Sequence, residues 1–186
     1  MAAIQPWRDF IGWSGNADIS AAATDMWPKR KGIVARRVDG RTALDVMTWG
    51  VPLTVSGKRL GSTITKHVTN VRNLSSPFWR SMLGQPAQRC FVPFSAFAEP
   101  QLGAGRAEHW FTIRERPIAA FAGIWRASDE GNVFAFLTCE PNPLIAPLHP
   151  KAMPVILEEA DYDAWLDGAP AADFAKPYPS QLMSIA

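Results

Sequence analysis

The strongest constraint on the fold is a set of short apolar segments separated by turn-forming residues. Apolar runs of about 4–8 residues bounded by Gly, Pro or Asn are typical of β-strands. We therefore predict four strands of one antiparallel sheet system, at residues 89–93, 109–113, 119–125 and 133–139.

A hairpin is predicted before this set. Asp39 and Gly40 form a strong signal for a tight turn, and the flanking residues 32–38 and 43–49 have the composition of strands. Residues 50–69 contain further turn-forming glycines, and we expect this stretch to be irregular.

Two short helices complete the prediction. Ser76 is a good N-cap and Pro77 a good first helical residue, so a helix is expected over residues 77–83. Near the other end, residues 155–157 are predicted to form a short strand. Residues 158–166 are predicted to form a helix with acids in its first turn.

These elements predict an α+β fold dominated by antiparallel strands. A chain of 186 residues fits one ordinary domain, which we place at residues 1–168. Residues 2–10 could form a short helix. Residues 169–186 are a proline-bearing tail, for which both a packed and a disordered state stay open.

The two cysteines, Cys90 and Cys139, lack any CxxC spacing. This usage argues against a disulfide framework and a structural zinc site, and it favours a reducing compartment. Cys90 lies in an apolar strand and is expected to be buried. The sequence shows neither a signal pattern nor a membrane-length apolar run, so we predict a cytoplasmic protein with no membrane association. We also predict a monomer that requires no metal or cofactor.

Charge is distributed unevenly, although the net charge is only +2. Between Pro28 and Arg89, twelve basic residues face two acids, Asp39 and Asp45. The basic residues are Lys29, Arg30, Lys31, Arg36, Arg37, Arg41, Lys58, Arg59, Lys66, Arg72, Arg80 and Arg89. Such a segment is typical of a surface that binds phosphates. The alternative is that its charges are scattered over several solvated faces.

Five short motifs follow one another along the chain. They are Met47-Thr48-Trp49-Gly50-Val51-Pro52; Asn70-Val71-Arg72 with Pro77-Phe78-Trp79-Arg80; Arg89-Cys90-Phe91-Val92-Pro93 leading to Phe97-Ala98-Glu99; Ala122-Gly123-Ile124-Trp125; and residues 146–157. In this order they resemble the SOS response-associated peptidase (SRAP) family, over about residues 27–167.

The resemblance implies a curved, barrel-like β-rich fold with a basic groove for single-stranded DNA that carries abasic sites. In the family, a cysteine exposed at position 2 condenses through its thiol and α-amine with the ring-opened aldehyde, giving a thiazolidine. The resemblance also implies that Asn70, Glu99 and His149 surround this chemistry as catalytic residues.

The chemistry of these side chains agrees with such roles. A carboxylic acid and an imidazole span the pKa range useful for the proton transfers of an amine–aldehyde condensation. Glu99 lies between Phe97 and Pro100, where partial desolvation would raise its pKa towards neutrality. The expected DNA contacts are Arg72, Arg80 and Lys151 to phosphates and Trp49 to a base.

Taken one at a time, the same residues have simpler explanations. A lone glutamate after an apolar strand is usually solvated, and a lone histidine in a proline-rich loop usually has a surface or packing role. A tryptophan beside a glycine is more often part of the core than a stacking platform. The order of the motifs is what favours the functional interpretation.

Position 2 is Ala2, and the first cysteine is Cys90, so this sequence has no thiol beside its α-amine. Two accounts stay open: a start that omits a short Cys-led segment, or a divergent member of the family. An α-amine alone could form a Schiff base and nick DNA by β-elimination. One alternative is a non-catalytic single-stranded-DNA-binding module. Another is a peptide hydrolase, although the sequence shows no Ser-His-Asp arrangement that would support one.

Overall fold

The computed structural model describes residues 22, 25–101 and 107–185. These residues form thirteen strands and three short α-helices. The strands are β1 (Lys31–Val38), β2 (Arg41–Trp49), β3 (Val51–Ser56), β4 (Thr63–Val68), β5 (Asn70–Val71), β6 (Arg89–Phe94), β7 (Phe97–Pro100), β8 (Glu108–Ile113), β9 (Ala119–Ser128), β10 (Gly131–Cys139), β11 (Met153–Pro154), β12 (Ile156–Leu157) and β13 (Met183–Ile185). The helices are α1 (Pro77–Leu83), α2 (Tyr162–Leu166) and α3 (Ala171–Phe174). The helix suggested for residues 2–10 lies outside the described residues.

Five strands close into a barrel in the order β2, β1, β6, β9, β10. Four of the five junctions are antiparallel, and the fifth joins β10 to β2 in parallel, with Val133 opposite Thr48 and Phe134 opposite Trp49. The predicted α+β, β-rich and barrel-like fold is therefore confirmed. The prediction of a single antiparallel system was wrong in two respects, because β10 pairs in parallel with β2 and β5, and β8 lies in a separate sheet with β7 and β13.

The predicted hairpin is confirmed as β1 and β2. Asp39 and Gly40 both have positive φ, 49° and 74°, as the two-residue turn of a twisted hairpin requires. The predicted helix is also confirmed, and it buries Trp79 and Met82. Ser76 occupies its N-cap position without a side-chain capping hydrogen bond.

Residues 50–69 are not irregular, so that prediction was wrong. Strands β3 and β4 pair along their whole length, from Val51 opposite Val68 to Ser56 opposite Thr63. The glycines Gly57 and Gly61 lie in the loop between the strands and do not interrupt them. The β-branched residues on both sides outweigh the turn signal.

The core contains a continuous series of aromatic rings. The Trp49 ring stacks on Phe136, the Phe136 ring contacts Phe121, and the Phe121 ring contacts Phe97, with centroids 5.1, 5.0 and 5.6 Å apart. Offset and edge-to-face contacts of this kind add to the free energy gained by burying the rings. This series runs from the end of β2 to the beginning of β7.

The described part of the tail, residues 169–185, is packed against the rest of the fold. Phe174, Tyr178 and Met183 are buried, and β13 pairs with β8. None of the helices among the described residues is long and apolar enough to cross a bilayer.

Gly123 in β9 provides a test of barrel packing. It lies opposite Cys90, and a Cβ added to it would be 2.8 Å from the Sγ atom of Cys90. We expect Gly123→Ala to destabilise the fold by about 1–3 kcal/mol through overpacking. Urea unfolding measures the loss.

The control is a double-mutant cycle with Cys90→Ala, which removes the crowding sulfur. The double variant should lose less free energy of unfolding than the sum of the losses in the two single variants. Simple additivity would show that the clash with Cys90 is not the cause.

Candidate functional site

Glu99 is placed by the short ladder between β7 and β8. Its neighbour two residues earlier, Phe97, is buried against Phe111 with ring centroids 5.3 Å apart. Because alternate residues of a strand share a face, Glu99 points to the same core-facing side as Phe97. Its side chain is only 13% exposed.

His149 is placed by a compact loop between β10 and β11, organised by Asn142. The buried amide oxygen of Asn142 accepts hydrogen bonds from the backbone of Leu144 and Ile145, at 3.1 and 3.0 Å. Its amide nitrogen donates to the Tyr178 carbonyl at 2.7 Å. The backbone N–H of His149 then donates to the Ile145 carbonyl at 2.8 Å.

Asn142 was not singled out from the sequence. The Pro141-Asn142-Pro143 signal marks a turn, and a buried asparagine in such a turn commonly fixes the backbone around it. Here it fixes the loop that carries the imidazole.

Glu99 and His149 meet directly. The Oε2 atom of Glu99 lies 3.1 Å from Nδ1 of His149, and the same Nδ1 lies 2.8 Å from the carbonyl oxygen of Ala152. Both neighbours of Nδ1 are oxygens, so a proton on Nδ1 satisfies them. The Nε2 atom then remains for proton exchange with a ligand.

Burial gives Glu99 an unusual protonation equilibrium. Desolvation raises its pKa from 4.5 to about 7, although the nearby His149 opposes the rise. A carboxyl group with a pKa near neutrality is present in both forms, so it can either donate or accept a proton. Such carboxyl groups concentrate at functional sites.

Asn70 and Trp49 lie together at Phe136, and neither makes a hydrogen bond or ion pair with Glu99 or His149. Asn70 begins β5, pairs with Phe136 of β10 and is exposed. Its side chain has no hydrogen bond with another described residue. The indole N–H of Trp49 donates to the Thr69 carbonyl at 3.1 Å, while its ring stacks on Phe136.

The three predicted phosphate contacts differ in their surroundings. The guanidinium of Arg72 donates to the Cys139 carbonyl at 2.5 Å and pairs with the Glu140 carboxylate. Arg80 and Lys151 are exposed and have no ion pair with any described acid. Their charges are available to a ligand, whereas that of Arg72 is already partly neutralised.

The basic segment of the sequence is only partly a basic surface. Arg36 pairs with Asp45, and Arg37 pairs with Asp163 and Asp167. Arg89 is 2% exposed and lies over the Trp165 ring at 3.9 Å. Four of the twelve basic residues, counting Arg72, are thus held by internal contacts, and the other eight have no ion pair with a described acid.

Neither cysteine is suited to nucleophilic chemistry. Cys90 and Cys139 are both buried, and burial raises the pKa of each thiol, to about 11 for Cys139. A thiol of this kind is uncharged at neutral pH and unreactive. Within the described part of the chain, no group of three or more His, Cys, Asp or Glu residues could hold a metal ion.

Comparison with known proteins connects this geometry to a family. The family model for SOS response associated peptidase (SRAP) matches residues 8–186. A solved structure from Bordetella bronchiseptica is 25% identical, with a TM-score of 0.76 over 98% of this chain and 93% of that chain. A comparison with curated proteins found no match.

Two further solved structures resemble the fold. A protein from Bacteroides thetaiotaomicron has a TM-score of 0.71 at 19% identity, covering 98% of this chain and 87% of that chain. A phage-related protein from Bordetella bronchiseptica has a TM-score of 0.58 at 24% identity, covering 87% of this chain and 79% of that chain.

The raised pKa of Glu99 predicts a specific pH dependence of stability. The folded state binds the Glu99 proton more tightly than the unfolded state, so this contribution is fully present below about pH 4.5 and is lost as pH rises through about 7. Glu99→Gln has no carboxyl group to ionise, so its stability should not fall as the pH rises through about 7. We expect the free energy of unfolding of the variant to exceed that of wild type by up to about 3 kcal/mol at pH 8. At pH 4.5 the two should be almost equal.

Urea unfolding of both proteins across this pH range measures the difference. The matched control is Glu108→Gln, which alters a carboxyl group of the same ladder that lies opposite Pro100 on the other face of the sheet. Parallel stability curves for wild type and Glu99→Gln would contradict the buried, protonated carboxyl group.

Proposed function

The chain belongs to the SOS response associated peptidase (SRAP) family, and from this premise we propose that it processes abasic sites in single-stranded DNA. The family is associated with the SOS response. The observation that carries the proposal is the direct contact of Glu99 with His149, 3.1 Å apart, in which burial raises the pKa of Glu99 to about 7.

Such a pair suits the condensation of an amine with the ring-opened aldehyde. The amine nitrogen attacks the aldehyde carbon, and one of its protons passes to the carbonyl oxygen, which becomes a hydroxyl group. That hydroxyl group leaves as water after gaining a second proton, while the nitrogen loses its other proton. Protonated Glu99 supplies the proton to the leaving hydroxyl group, and Nε2 of neutral His149 accepts the proton from nitrogen. The product is an imine, and a neighbouring thiol that adds to its carbon closes a thiazolidine.

The remaining proposed residues bind and orient the strand. Asn70 is exposed and its amide can donate to and accept from the sugar. Arg80 and Lys151, which pair with no acid in the described part of the chain, offer their charge to phosphates, and Arg72 adds a guanidinium that pairs with Glu140 in the free protein. Trp49 presents an aromatic ring for stacking, fixed by its contacts with Phe136 and Thr69.

A specific observation also supports a second function, a non-catalytic module that binds single-stranded DNA. In a chain that begins as the given sequence does, Ala2 carries no thiol, and the α-amine could give an imine but no thiazolidine. If the α-amine also fails to react, the basic residues and Trp49 still suffice for binding. Borohydride, which reduces an imine to a stable amine, separates the two: a trapped adduct excludes the binding-only function.

The decisive experiment is a denaturing gel with a single-stranded oligonucleotide that carries one abasic site. We expect a retarded, covalent band from a variant with a Cys-led N-terminal extension, and no thiazolidine band from the chain as given. In the extended protein, Glu99→Gln should slow adduct formation by about 100-fold, the usual contribution of a general acid or base.

Glu108→Gln in the same extended protein is the control and should form the adduct at the unaltered rate. If neither protein gives an adduct or cleaves the strand, the enzymatic proposal fails and at most the binding module remains.

The phosphate contacts predict a change in salt dependence. Arg80→Gln removes a charge that has no acidic partner among the described residues, so we expect the magnitude of the slope of log K against log salt to fall by about 0.7. Fluorescence anisotropy with an undamaged single strand measures the slope. Lys176→Gln, an equal loss of charge in the tail, is the control and should leave the slope unchanged; equal effects would refute a specific contact at Arg80.

A further inference from the structure

The C-terminal tail contacts Asn142, the residue that organises the loop carrying His149. The side-chain nitrogen of Asn142 donates to the Tyr178 carbonyl at 2.7 Å and to the sulfur of Met183 at 3.1 Å. An amide nitrogen has two N–H bonds, so each acceptor can take one. Asn142 is only 2% exposed, so these donors have little access to water. Both donors of the amide therefore depend on the tail.

The amide oxygen of Asn142 faces the loop. It accepts the backbone N–H groups of Leu144 and Ile145, at 3.1 and 3.0 Å. The Ile145 carbonyl in turn accepts the backbone N–H of His149 at 2.8 Å. Two acceptors on one side of the amide and two N–H donors on the other fix its orientation. A continuous series of hydrogen bonds thus joins the tail to the backbone of His149.

Met183 also belongs to the sheet that carries Glu99. It is 1% exposed and lies in β13 opposite Ile113 of β8. Strand β8 pairs on its other side with β7, which contains Glu99. The three-stranded sheet is therefore connected to both members of the pair. Glu99 is part of it, and the loop of His149 is attached to it through the contact of Met183 with Asn142.

We propose that Asn142 and Met183 are positioning residues for His149, which together set the distance from its imidazole to Glu99. Such a link is needed because Glu99 lies in the three-stranded sheet, whereas the loop of His149 follows β10 of the barrel. The purpose of the link rests on the proposed function. The link itself can be tested without DNA.

The contacts of His149 leave little tolerance for movement. Its Nδ1 atom lies 3.1 Å from Oε2 of Glu99 and 2.8 Å from the carbonyl oxygen of Ala152. A displacement of about 1 Å would take either contact beyond hydrogen-bond range. Misplacing a catalytic group by that distance can slow a reaction by about 100-fold.

The tautomer of His149 reports whether the ring is in place. An ionised Glu99 and the Ala152 carbonyl can only accept hydrogen bonds, so together they hold the proton of a neutral ring on Nδ1 and leave Nε2 bare. Nitrogen-15 NMR of labelled histidine distinguishes a protonated ring nitrogen from a bare one. At about pH 9, where imidazoles are neutral, we expect wild type to show one signal of each kind for His149.

Asn142→Ala removes the link at its centre. We expect the two ring signals of His149 to converge, because a displaced imidazole exchanges between both tautomers. Met183→Leu keeps the side chain apolar and of similar volume but removes the sulfur acceptor, so it should give a smaller convergence. The matched control is Met82→Leu, which alters an equally buried methionine in α1 and should leave the His149 signals in place.

Convergence in both variants, with unchanged signals in the control, supports the proposal. Unchanged His149 signals in either folded variant overturn it, as does an equal convergence in Met82→Leu. If Asn142→Ala does not fold, Met183→Leu decides alone. The abasic-site gel is a separate test: absence of an adduct beside the expected NMR result would refute the proposed function and leave the positioning roles intact.

Discussion

The parallel pairing of β10 with β2 is the interaction on which the rest of the structure depends. It closes the barrel, and β10 also pairs with β9, β5 and β11. Trp49 at the end of β2 and Asn70 at the start of β5 are thereby brought to Phe136. The loop that carries His149 leaves the end of the same strand. One central strand thus places groups that are widely separated in sequence, which is how a barrel supports a site built from several loops and strand ends.

The second constraint is the cost of burying Glu99. A carboxylate removed from water is unfavourable unless it is paired, and a protonated carboxyl group avoids most of that cost. Burial on the same face of the ladder as Phe97 supplies the desolvation, while His149 supplies the counter-charge. These opposing effects hold the pKa of Glu99 near 7. In a more polar environment Glu99 would stay ionised at neutral pH, and in a less polar one it would stay protonated.

Local features were predictable from the sequence, and long-range ones were not. Asp39-Gly40 predicted its hairpin because the turn chemistry is local, and Ser76-Pro77 predicted α1 for the same reason. The parallel junction between Thr48 and Val133 leaves no local signal, since it joins distant segments. The burial of Arg89 could not be predicted from the sequence either, because its partner ring, Trp165, lies far along the chain. Glu99 and His149 were selected only through the order of motifs; their contact depends on β7 and the Asn142 turn meeting in space.

Under the proposed function, the pairing of Arg72 with Glu140 has a consequence for the kind of anion that this surface would accept. A single free phosphate that approached Arg72 would only exchange one ion pair for another, with little net gain. A nucleic-acid strand already held elsewhere on the protein, as proposed, would present a phosphate to Arg72 at a high effective concentration and displace the Glu140 carboxylate more readily. Under the proposed function, Glu140 would therefore act as an internal competitor that disfavours small anions. In a cell filled with nucleotides and metabolite phosphates, such a competitor would keep the guanidinium available for a chain of phosphates.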